Sequence, residues 1–178
     1  GTASGENFSW REFWKHSIAV ATLSQELLNG RVSSDSDDSG YLAGLVHDVG
    51  KIAISIAFPE VFSTIQKLAQ QTLRKLEDIE RDYLGMDHAE IGAFYFETQK
   101  MPEFLVHSTR FHHRPSEAEG SQAMAAAVYI ANMAVHGAGI GISGNPAVVK
   151  PSTWRSLEAW DLIYPNADAR DVQKVQRR

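Results

Sequence analysis

The chain contains no cysteine. Disulfide frameworks and thiolate sites are therefore excluded, any metal must be held by nitrogen and oxygen, and a reducing compartment fits. Apolar runs of the roughly 18 residues that a membrane span needs are also missing. The opening stretch GTASGENFSW is polar and lacks the core of a signal peptide. A cytoplasmic protein with no membrane partner is expected. Positive charge is scarce as well: 17 basic against 22 acidic side chains leave a formal charge of -5. No basic field is available to hold a polyanion, so nucleic acid is not an expected partner. Finally, no alternating run of β-branched residues lies between turn signals, which leaves strands without a sequence basis.

What is present is helical periodicity, with apolar residues recurring at spacings of three and four. The expected fold is all-α, a helical bundle, and 178 residues suit a single domain spanning 1–178. Ser9 and Glu12 have capping-box spacing and open a helix that Gly30 would end. The acidic stretch 31–40, RVSSDSDDSG, reads as a mobile loop. A second helix is expected from about Tyr41 to Ile56, stopped by Pro59, and a third from Pro59 to about Gln70. TLRKLEDIERDYLG is the most charged segment and so the most exposed helix, capped by Gly85. Asp87 and Glu90 open HAEIGAFYFETQK. Pro102 begins PEFLVHSTRFHH, and Pro115 ends it. SQAMAAAVYIANMAVHG is apolar nearly all round, as a central buried helix is. GAGIGISGNP reads as a flexible connection whose glycines follow no strand and so do not mark a dinucleotide site. Short helices are expected around Trp154 to Ile163 and after Asn166.

Most of the seven histidines fall toward buried faces. A buried imidazole needs partners for both nitrogens, and a cluster is hard to satisfy by hydrogen bonds but easy around a metal. Glu12 and His16 lie four apart, either converging on one point or completing a cap with His16 packed beneath. In GLVHDVGKIAI, His47 and Lys51 are four apart and Asp48 lies about 100° round the helix. Gly44 and Gly50 strip away bulk beside them, permitting close approach by a second helix or a ligand. His88 follows its Asp87 cap. His112 and His113 are adjacent and so should diverge, suiting one ligand to each of two ions rather than both to one. His107 and His136 have no comparable partner and read as structural or surface residues.

Taken in order, WKHS, AGLVHDVGK, GMDHAEIGA, MPEFLVHSTRFHHRP and VYIAN resemble the HD superfamily of metal-dependent phosphohydrolases, and within it the HDOD signalling domains. The resemblance runs from about Trp10 to Gly141. It implies a signal-transduction output domain of bacterial type, with one to three divalent ions (iron, manganese, zinc or nickel) held by His16, His47, Asp48, His88, His112 and His113. Glu12 would be an added ligand of the three-ion kind. Lys51 matches a lysine that faces a substrate phosphate, so Lys51 and Asp48 are the candidate catalytic pair. The alternative activity is that of a phosphohydrolase or phosphodiesterase on a small phosphate or nucleotide.

Two departures bear on this. The family's last ligand, an Asp, corresponds to Asn132, and a neutral amide holds a divalent ion less well than a carboxylate. RPSEAEG also lacks the Gly-Tyr-Pro segment of the HD-GYP phosphodiesterases, which argues against cyclic-di-GMP hydrolysis. Relatives carry further helices before FWKHS, so the chain is expected to be part of a longer signalling protein. Its expected partners are signalling domains or a small nucleotide or phosphate ligand.

Overall fold

The computed structural model describes residues 8–29, 38–146 and 158–165, and every regular element among them is helical. The elements are α1 (Trp10–Leu28), α2 (Ser39–Val46), α3 (Val49–Ala57), α4 (Pro59–Thr72), α5 (Leu76–Leu84), α6 (His88–Thr98), α7 (Glu103–Phe111), a 3-10 turn (Pro115–Glu117), α8 (Gln122–Gly137) and α9 (Ala159–Ile163). The N-terminal capping signals hold, while Gly30, expected to end α1, lies outside the described residues. Ser9 accepts from the Glu12 N–H, and Asp87 and Glu90 form a complete reciprocal box at the start of α6.

Helix α8 is the axis of the molecule. Its Ala125, Ala126, Ala127, Val128, Ile130 and Ala131 are all buried, packed between α1, α2, α7 and α9. The main core joins these residues to Val20 and Leu27 of α1, Phe96 of α6, Leu105 and Val106 of α7 and Trp160 of α9. A smaller cluster of Ile65, Ala69, Leu76 and Ile79 fastens α4 to α5.

Several expectations are corrected. The helix expected from Tyr41 to Ile56 is two helices, broken at His47 and Asp48. Asp48 sits at φ -98, ψ 13. The His47 Nδ1 donates back to the Gly44 carbonyl at 2.8 Å, and the Lys51 N–H closes a three-residue turn on the Asp48 carbonyl at 2.9 Å. Local polar bonds thus compete with the helical ladder and win. The 31–40 loop is shorter than expected, since Ser39 and Gly40 already belong to α2; residues 31–37 lie outside the described residues. The charged helix begins at Leu76 rather than Thr72, because Leu73 adopts a left-handed φ of 54. Nor is it the exposed helix: Glu77 and Glu80 are buried. Of the C-terminal helices, α9 is described and the one expected after Asn166 lies outside the described residues.

GAGIGISGNP is no free connection either. Gly141 at φ 68 lies against α1, where a Cβ would come within 2.5 Å of the Glu12 carbonyl and the His16 nitrogen. The Ile142 N–H donates to the Glu12 carbonyl at 3.2 Å. Only glycine permits that approach.

The small residues of AGLVHDVGK serve helix crossings. A Cβ on Gly44 would lie 2.6 Å from the Ala21 Cα of α1, and one on Gly50 would lie 1.9 Å from the His88 carbonyl of α6. These contacts set the depth at which α2 and α3 bring His47 and Asp48 against α1 and α6. Gly50→Ala is expected to cost about 1–3 kcal/mol or more by overpacking. Gly85→Ala, where φ is 77 and nothing lies within 4 Å, should cost only the backbone strain, on the order of 1 kcal/mol. Urea unfolding of both variants checks the ranking; equal losses would show that the α3–α6 contact yields freely.

Candidate metal centre

Five histidines and one aspartate meet where α1, the α2–α3 turn, α6 and the end of α7 converge. Their rings form a continuous chain, with centroids 5.7 Å apart for His16 and His47, 5.0 Å for His47 and His112, 5.4 Å for His88 and His112, and 5.0 Å for His88 and His113. Asp48 lies among them, wholly buried. Its Oδ1 is 3.2 Å from His88 Nε2 and 3.7 Å from His112 Nε2, while its Oδ2 is 3.4 Å from His47 Nε2. The donor atoms sort into two triads, each within 4.8 Å: His16, His47 and Asp48, and His88, His112 and His113.

His112 and His113 therefore do not diverge as adjacent helical residues would. Helix α7 ends at Phe111, His112 is its C-cap, and the chain turns there, so the two rings lie 4.0 Å apart.

The tautomers are set by the backbone. His47 Nδ1 donates to the Gly44 carbonyl at 2.8 Å and His112 Nδ1 to the Thr109 carbonyl at 2.7 Å, which turns both Nε2 lone pairs toward the centre. His16 Nε2 and Asn132 Oδ1 are 3.0 Å apart. Four buried atoms, His16 Nδ1, His47 Nε2, Asp48 Oδ1 and His112 Nε2, nonetheless have no hydrogen-bond partner. Leaving a buried polar atom unpaired costs about 1–3 kcal/mol. An ion is the partner that this donor set suits.

Electrostatics follow from burial. Burial, with the neighbouring charge of His47, lowers His16 to about 4, and burial likewise holds His112 and His113 well below the ordinary imidazole value. Burial pushes Asp48 upward, but His47 and Lys51 overcome it and hold the carboxylate well below its ordinary range. His88 is opposed by burial yet raised to about 10 by the carboxylate of Glu80.

The other candidate residues take distinct places. Lys51 is buried and donates to Asp48 Oδ2 at 2.6 Å and to the Ser143 carbonyl at 2.8 Å. Glu12 stands at the edge, 3.8 Å from Lys15 and in neither triad. Beside the cluster is a cavity of about 100 Å³ lined by Lys51, Lys75, Glu77, His113, Asn132 and Asn145, among others. His107 keeps away from the cluster, 3.7 Å from Glu103.

The model of the HDOD domain matches residues 1–115, nearly two thirds of the sequence. The chain belongs to the HDOD family. This HDOD chain is 31% identical over 121 residues to an uncharacterised protein of Treponema pallidum, of which it spans 21%. Its fold is similar to the crystal structure of an HDOD domain protein of unknown function from Geobacter sulfurreducens, with a TM-score of 0.76 at 20% identity, covering 96% of this chain and 62% of that one. A candidate signal transduction protein from Marinobacter aquaeolei matches with a TM-score of 0.72 at 18% identity, over 93% of this chain and 35% of that one.

Sequence reasoning missed Glu77 and Glu80 in this HDOD domain. Glu80 Oε2 is 2.5 Å from His88 Nδ1, and Glu77 Oε1 is 3.8 Å from His113 Nδ1. A signal existed: Glu80 falls four residues after Leu76 and four before Leu84, on the apolar stripe of its helix.

In the absence of metal, the protein should be most stable near neutral pH. His16 binds a proton at about 4 when folded but at 6.5 when unfolded, so stability falls as pH drops through that window; His112 and His113 act in the same direction. His88, raised from 6.5 to about 10, contributes stability that is complete below the lower value and lost as pH rises through the upper one. Thermal unfolding in chelator at pH 5, 7 and 9 checks this, at about 2–4 °C per kcal/mol for a chain of this size. A flat profile on the acid side would contradict the burial of neutral imidazoles.

Proposed function

We propose that this chain is a signal-transduction output domain that holds a divalent metal cluster between its helices and acts through signalling partners. The observation that carries the reading is the convergence of five imidazoles on one buried carboxylate, with four donor atoms left unpaired. His16, His47 and Asp48 would hold one ion, with Asn132 beside His16, and His88, His112 and His113 a second; Asp48, whose Oδ1 lies 3.2 Å from His88 Nε2 and 3.7 Å from His112 Nε2, would serve both triads. Glu12 would serve an arrangement of three ions. Imidazole with carboxylate suits iron, manganese, zinc and nickel, with loading governed by availability. When bound, such a pair of ions lowers the pKa of a water and stabilises charge on a phosphoryl oxygen.

Two observations favour signalling over hydrolysis. Lys51, the match to a phosphate-facing lysine, is spent on Asp48 and the Ser143 carbonyl, so its charge serves the cluster. Asn132 supplies an amide where catalytic relatives use a carboxylate, which weakens one ligand position. The second reading, a phosphohydrolase acting on a small phosphate or nucleotide, is supported by the cavity of about 100 Å³ beside the triads, with Lys75 at its edge. Its size and the net charge of -5 disfavour a long polyanion. A cytoplasmic location accords with the absence of a membrane-spanning helix among the described residues.

Elemental analysis of the purified protein should find one to three divalent ions per chain. His47→Ala and Asp48→Ala should each weaken metal binding by more than the about 10–100-fold that loss of an outer-shell partner costs, with helicity retained in circular dichroism. Asn132→Asp should tighten binding, and a phosphatase and cyclic-dinucleotide screen on that variant tests whether hydrolysis is latent. A wild-type protein that binds no metal after reconstitution, or variants with unchanged stoichiometry, would overturn the reading.

A further inference from the structure

The two triads are chemically unequal. One contains the Asp48 carboxylate, whereas the other consists of three imidazoles, neutral in the form that binds a metal, and a divalent ion there would bring two charges into a buried site that has only a share of Asp48, whose Oδ1 lies 3.2 Å from His88 Nε2, to offset them. Further compensation comes from α5, where Glu77 Oε1 lies 3.8 Å from His113 Nδ1 and Glu80 lies against His88. Glu80 is completely buried, and its Oε2 accepts both the His88 backbone N–H at 2.8 Å and the His88 ring Nδ1–H at 2.5 Å. Its other oxygen has no partner, so the carboxylate is held in the core almost wholly by this histidine. On the far side of the same ring, Nε2 faces Asp48 Oδ1 at 3.2 Å and His113 Nε2 at 3.0 Å.

We propose that Glu80 is a positioning residue for the histidine triad: it binds the Nδ1–H of His88, fixes the ring and its tautomer, directs the Nε2 lone pair at the ion, and adds negative charge that three imidazoles by themselves do not carry. The inference rests on the metal-binding reading above. Such carboxylate–histidine–metal chains raise the basicity of the ligand, and their loss typically weakens metal binding by about 10–100-fold. Glu80 is held in place by its own helix, where Leu76 and Ile79 anchor α5 on α4. The buried acidic face of that helix thus gains a purpose that its packing alone does not provide.

The test titrates wild type, Glu80→Gln and Glu80→Asp with zinc against a competing chelator, following stoichiometry and affinity. Glu80→Gln is nearly isosteric and keeps an acceptor oxygen but loses the charge. It should weaken the second zinc about 10–100-fold while leaving the first nearly unchanged, and Glu80→Asp should restore part of the loss. Equal zinc affinities in folded wild type and Glu80→Gln would overturn the proposal while leaving the metal site standing. Wild type that takes up no zinc would overturn both. Should Glu80→Gln fail to fold, nitrogen NMR of histidine-labelled, zinc-loaded wild type decides. The proposal requires His88 to carry its proton on Nδ1 with Nε2 on zinc; a proton on Nε2 overturns it.

Discussion

The structure depends on a carboxylate buried where water cannot reach it. Asp48 has no exposed surface, and an isolated ionised carboxylate in such a place would be prohibitively costly. Its surroundings answer that cost from several directions. Lys51 supplies a charge 2.6 Å away, His47 and His88 present ring nitrogens, and α6 and α7 close the remaining sides. A buried pair of this kind is weak evidence for stability, because desolvation cancels much of the Coulombic gain. What the arrangement does provide is a fixed set of donor atoms, several of them unpaired, around one point.

Backbone geometry makes that convergence attainable. His47 and Asp48 occupy a turn rather than a helix interior, and glycines on either side let the flanking helices lie almost in contact with α1 and α6. The stretch after α8 folds back over the site: Gly141 rests on α1 at His16, and the next turn offers the Ser143 carbonyl to Lys51. The same lysine that balances Asp48 therefore ties this strap to the cluster. Charge neutralisation and closure of the bundle are one feature seen from two sides.

The chain belongs to the HDOD family and shares its fold with solved structures at 18–20% identity. The chain spans only part of each of those relatives, 62% and 35% of their lengths. What separates a signalling domain from a hydrolase must then lie in local chemistry. Here that chemistry is an amide at Asn132, a lysine already engaged, and a small polar cavity beside the histidines.

Much of this was legible in the order of residues. Periodicity of three and four, the Asp87–Glu90 box and the apolar run of α8 determine helices through local bonds and hydrophobic burial, which sequence encodes directly. His47 and Asp48, adjacent in an otherwise apolar stretch, already demanded an explanation. Tertiary structure alone decided the rest. The break at His47 arises because side chain and backbone compete for the same carbonyl, and the pairing of His112 with His113 because α7 stops one residue before them. Glu80 joins the site because it shares the inward face of α5 with Leu76 and Ile79. Charge along a helix reports its cost of burial, and whether that cost is met depends on what another helix, eight residues further on, places opposite it.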